Sequence, residues 1–65
     1  MTQEEHQDHI DELIDQVQVA MSNGRDSEAM RLLEFILVTI ETYDLPLPIT
    51  KYEASETLKA LRTTQ

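Results

Sequence analysis

The sequence contains no cysteine and no tryptophan, one glycine, two prolines, and only three aromatic residues, Phe35, Tyr43 and Tyr52. Without cysteine there is neither a disulfide staple nor a thiolate metal site. A single glycine excludes a glycine-rich phosphate cradle or a dinucleotide fingerprint. No run of about 18 apolar residues occurs, so no transmembrane helix is expected. Bases are scarce: 5 against 13 acids in 65 residues, for a net charge of −8, with no lysine or arginine in residues 1–20. That balance argues against direct binding to nucleic acid or to an anionic membrane, and any partner chosen by charge would be basic. The acidic start lacks the basic region of a secretory signal, and cytoplasmic residence is the expectation.

What the chain does have is helical periodicity. Residues 26–43, DSEAMRLLEFILVTIETY, carry ten of its apolar side chains. At 100° per residue Ala29, Leu32, Leu33, Ile36, Leu37, Ile40 and Tyr43 form one broad face, with Met30 at its edge and Glu34 and Glu41 on a polar strip. Leu33, Ile36 and Ile40 are expected to be its most buried members. Phe35 and Val38 point elsewhere and, flanked by Arg31 and Thr42, make a second, narrower stripe. A helix apolar on nearly every side is buried on more than one. In so short a chain, one side faces its own helices and the other must find something else.

Before this helix, Ile10, Leu13, Ile14, Val17, Ala20 and Met21 follow i, i+3, i+4, i+7 spacing, which predicts a helix over 3–22. Thr2 and Glu5 form a capping box at its start. Ser22, Asn23 and Gly24 end it, with Gly24 as the left-handed residue. Val19 lies opposite the apolar face, while Met21 and Met30 flank the turn and are expected to pack there. Asp26 or Ser27 caps the second helix, and so short a link makes the two helices antiparallel neighbours. The segment NGRDSEA (23–29), followed by Leu33 and Ile36, resembles the turn and second-helix start of a tetratricopeptide repeat. It departs from that pattern at Val17, where the repeat has a small residue, and in a second helix that runs past the expected proline. The chain holds no second copy of the repeat, so the segment is read as helical-hairpin chemistry.

After the second helix, residues 44–49 read as an extended linker, because each proline fixes its own φ and biases its predecessor. Leu45, Leu47 and Ile49 alternate along this arm and are expected to lie on the helical pair. The competing use, a proline-rich ligand, lacks the PxxP spacing. Thr50 and Glu53 form a second capping box opening a third helix over about 51–62, with Ala54, Leu58 and Leu61 as its narrow apolar face. Lys59 and Arg62 suit its negative end. It is the element expected to be least stable, with its last residues, 63–65, fraying. The expected fold is therefore all-α: one small domain, an antiparallel hairpin plus a short third helix, pairing into a dimeric bundle.

The candidate chemistry is thin. His6 and His9, with Glu5 and Asp8 beside them, have the composition of a divalent-ion site but no closing ligands on a second segment. They read as two surface histidines of a first turn, His6 nearer the apolar edge. Asp8, Asp11, Glu12 and Asp15 recur at i, i+3, i+4, i+7 opposite the apolar face. Paired carboxylates do acid–base work only in a concave, partly dehydrated setting, and a convex helix offers none. They are either a solvated face or a docking face for a basic partner. Ser22, Ser27 and Ser55 are explained by caps and helix surface, so no nucleophile stands out.

These readings converge on a non-enzymatic protein–protein interaction module, a regulator, adaptor or inhibitor that needs no cofactor. Its partner face would be Asp8, Asp11, Glu12 and Asp15. Self-association, as a homodimer, would use Arg31, Phe35, Val38 and Thr42, with Arg31 reaching Glu34 of the second copy. Two alternatives remain. One is an acidic nucleic-acid mimic, an inhibitor of phage or mobile-element type, seated in the basic groove of a DNA- or RNA-binding protein. The more distant one is a metal-binding or enzymatic site on the first helix.

Overall fold

The computed structural model describes residues 3–63, with side chains from residue 5 onward. It consists of three helices, α1 (Gln3–Ser22), α2 (Asp26–Thr42) and α3 (Pro48–Thr63), and no strand among the described residues. No helix is long and apolar enough to cross a membrane. Both α1 and α3 pack on α2 and neither packs on the other, so α2 is the centre of the fold. The core is one cluster drawn from all three helices: Ile10, Leu13, Val17 and Ala20; Ala29, Leu33, Ile36 and Ile40; and Ala54, Leu58 and Leu61. Ile10 and Ile36 are its largest fully enclosed side chains. On α2, Thr39 shares the buried face, and its hydroxyl donates to the Phe35 carbonyl one turn back, 2.8 Å away. That bond satisfies the hydroxyl within its own helix, so a polar residue is accommodated in the apolar contact.

Both connections are closed by the same backbone device. At the end of α1 the Gly24 amide donates to the Met21 carbonyl (3.1 Å) and the Arg25 amide to the Ala20 carbonyl (2.8 Å). These are the two bonds of a Schellman closure, with Gly24 at φ 73. The closure carries the chain straight into α2, whose N-cap is Arg25, without a side-chain capping bond. Asp26 and Ser27 therefore do not cap α2: Asp26 lies inside the first turn, where with Glu28 it faces the positive end of the helix dipole. At the other end of α2, the Asp44 amide donates to the Glu41 carbonyl (3.3 Å) and the Leu45 amide to the Ile40 carbonyl (3.0 Å). Here the left-handed position is filled by Asp44, at φ 49.

The prolines act differently from the expected extended arm. The Leu47 amide donates to the Leu45 carbonyl at 2.8 Å, a tight turn about Pro46. Pro48 is already the first residue of α3. Proline is favoured there because its fixed φ is helical and a first-turn amide has no helical partner to lose. Thr50 and Glu53 consequently sit within α3 and do not form its capping box. Leu45 and Leu47 pack against the core, whereas Ile49, in the first turn of α3, faces outward at 73% exposure. The Thr2 half of the first capping box lies outside the described residues, as do Thr64 and Gln65.

Two ion pairs tie α3 to α2. Arg62 Nη2 donates to Glu34 Oε1 at 2.8 Å, and Lys51 Nζ lies 3.3 Å from Glu41 Oε1. Glu34 and Glu41, on the acidic strip of α2, thus reach α3 while staying exposed to water. Arg62 suits the negative end of α3 as the sequence suggested, but its partner across the helix pair was not foreseen. Both pairs are solvent-exposed, and such pairs contribute about 0–1 kcal/mol each.

Candidate functional site

Three surfaces can be built from these elements. The first is the acidic side of α1. Asp8, Asp11, Glu12 and Asp15 are all exposed. Among the described residues none of them forms an ion pair, the only polar contact shown being from Gln7 Nε2 to Asp11 Oδ1 at 3.0 Å. Their spacing of i, i+3, i+4 and i+7 follows from the helix and turns them away from Ile10, Leu13 and Val17. On a convex helix side they stay hydrated, which suits long-range attraction of a cation rather than proton transfer.

Beside this face, the two histidines part company. His6 is 7% exposed, with its ring 4.4 Å from that of Tyr43 at a tilt of 33°. It lies one turn before Ile10 on the buried side of α1, and it covers the end of the core where α2 finishes. His6 is thus not a surface residue; its edge position on the wheel falls inside because Tyr43 reaches back over it. Tyr43 itself remains more than half exposed. His9 turns the other way and meets the edge of Phe35, centroids 6.1 Å apart. Among the described residues, no three His, Asp or Glu side chains gather into a metal cage.

The second surface is the outer side of α2. Arg31, Phe35, Val38 and Thr42 are all exposed, Phe35 at 52% and Val38 at 61%. They stand outside the core cluster, and on the α1 side the His9 ring meets the edge of Phe35. Glu34, the acceptor expected for Arg31 of a second copy, is already held by Arg62 of its own chain.

The third surface did not emerge from the sequence. Because α1 and α3 meet α2 but not each other, a groove of about 280 Å³ runs between them. Ile14, Val17, Met21, Leu33 and Ala54 make it apolar, and Gln18, Thr50, Glu53 and Thr57 give it polar edges. Met21, expected to pack at the turn, instead borders this opening and is 41% exposed. The helical wheels hold a trace of it, since Ile14 and Met21 fall on the flank of the α1 face; what they lack is the position of α3. No family model matches the chain, and no curated protein or solved structure matches it.

Proposed function

We propose that this chain is a small acidic, non-enzymatic protein–protein interaction module, a regulator, adaptor or inhibitor of a partner protein, and that it acts as a homodimer. One observation carries the reading: Phe35 and Val38 stand exposed on the same helix that supplies the centre of the core. Phe35 is already about half covered, so covering the rest is worth roughly 0.8–1.5 kcal/mol in each copy, a useful term for a domain of this size. A two-fold axis beside α2 sets each stripe against its copy. If the two α2 helices cross antiparallel near Phe35 and Val38, Arg31 stands opposite Thr42 of the second copy at the rim. The carboxylates of α1 then remain outside the contact, free to meet a basic partner.

Sedimentation equilibrium over micromolar concentrations tests the dimer. The expected mass is twice the 7.5 kDa of the chain, and Phe35→Asp returns it to the monomer value by burying an unpaired charge. A monomer at every concentration rejects self-association through this stripe.

A second reading, nucleic-acid mimicry, is favoured by Asp8, Asp11, Glu12 and Asp15, which stand on one side of α1 with no ion-pair partner among the described residues. Binding to a basic nucleic-acid-binding protein that weakens steeply as salt rises is its signature. Docking through apolar contact loses little over the same range.

A further inference from the structure

The groove between α1 and α3 combines two properties that neither helix has alone. Its interior is aliphatic: Ile14, Val17 and Met21 follow one another at i, i+3, i+7 along α1, facing Ala54 across Leu33. Its borders carry charge of one sign. Glu53 lines it, and Glu56 follows three residues on along α3. On α1, Asp11 stands seven residues before Gln18, on the same side of the helix, whereas Asp15 borders a different depression with Glu12 and Arg25. None of the five bases of the chain lines it. Lys51 and Arg62 turn toward α2, where Glu41 and Glu34 hold them. Lys59 sits with Ser55 and Arg62 on another side of α3. Arg25 pairs with Glu28 at 3.6 Å beyond the α1–α2 turn, and Arg31 is on the outer side of α2.

We infer that this groove is a docking site for a basic amphipathic helix of another protein, lying along α1 and α3 with its apolar side chains in the groove and its lysines or arginines over the two acidic borders. A space of about 280 Å³ takes side chains from successive turns and not a whole helix, which is the arrangement of helix-in-groove recognition. Charge complementarity selects the occupant. A second copy of this chain brings a further net −8 to borders that are already acidic, whereas a cationic helix is drawn in and aligned. This inference rests on the reading of the chain as a protein-binding module and names the chemistry of its partner, on a surface separate from the outer side of α2.

The probe is a fluorescein-labelled peptide of about 15 residues, with leucines at i, i+4, i+7 and i+11 and lysines at most other positions. A control peptide has the same composition with its leucines scattered round the helix. Fluorescence anisotropy with the full chain should show the patterned peptide binding at least about tenfold more tightly than the control. Met21→Glu and Thr57→Lys, both at the groove and neither fully buried, should each weaken the patterned peptide by a similar factor, while Phe35→Asp leaves its affinity unchanged. Circular dichroism confirms that each variant is folded. Equal binding of the two peptides, or patterned binding indifferent to both groove substitutions, overturns the inference. So does a dimer that Met21→Glu dissociates, because the groove then belongs to a second copy. A failed peptide with a dimer still sensitive to Phe35→Asp overturns the groove alone and leaves the proposed function standing.

Discussion

Ile36 and Asp44 show, within one helix, how differently two residues can matter. Ile36 has no exposed surface and belongs to the core cluster drawn from all three helices. Ile36→Ala should therefore cost about 2–5 kcal/mol, read as a lowered midpoint in urea or heat; a melting temperature within a degree or two of wild type would show that the packed face is misassigned. Asp44 makes no packing contribution of that kind. It holds the left-handed turn that Gly24 holds at the other end of α2, but with a Cβ that the conformation disfavours. Asp44→Gly should stabilise the protein by about 0.5–1 kcal/mol, since the relieved strain outweighs the entropy of an added glycine. A destabilised variant would mean that the aspartate side chain holds the turn. The Gly24 turn was legible because glycine announces itself. The Asp44 turn was not, because an aspartate before a Leu-Pro pair reads equally well as the start of a linker.

Helices as units were easier to read than their ends. The buried residues of α1, α2 and α3 follow the apolar spacing of the sequence, and a face seven residues wide on α2 does receive two helices. Starts failed where a capping motif competed with a stronger local constraint. Thr50 with Glu53 has the composition of a capping box, yet Pro48 begins α3 and the Lys51 amide reaches the Leu47 carbonyl at 2.9 Å. Thr50→Ala is thus expected to change stability by less than about 0.5 kcal/mol, where loss of a true N-cap costs typically ~1. A loss of that size in chemical denaturation would restore the capping role. The same shift of register explains Ile49: moved from a linker into a helix, it turns from the core to the outside. His6 is the opposite case, drawn inward by a contact with Tyr43 that no spacing within α1 could reveal.

At the scale of the molecule, charge and fold are nearly separable. Glu34 and Glu41 of α2 are matched by Arg62 and Lys51 of α3, whereas Asp8, Asp11, Glu12 and Asp15 of α1 form no ion pair among the described residues. Replacing Asp8, Asp11, Glu12 and Asp15 together by Asn or Gln should leave the melting temperature unchanged or slightly raised, because exposed like charges on one helix side repel. A clear drop in a calorimetric scan would place these residues in the fold instead of at its surface. The acidic face was visible in the sequence as a pattern within one helix. The groove was not, because it is a property of two helices that are distant in sequence and meet only through a third.

An odd number of antiparallel helices has a mechanical corollary. Since α1 and α3 both run against α2, the start of α1 and the end of α3 lie at opposite poles of a body 35 Å long. Tension applied through those ends slides α1 and α3 along α2 instead of peeling them away one turn at a time. Each interface is then loaded in shear, and its apolar contacts must give way together. Were the protein placed in series between two tethered partners, this geometry would make it a stiff link that yields abruptly.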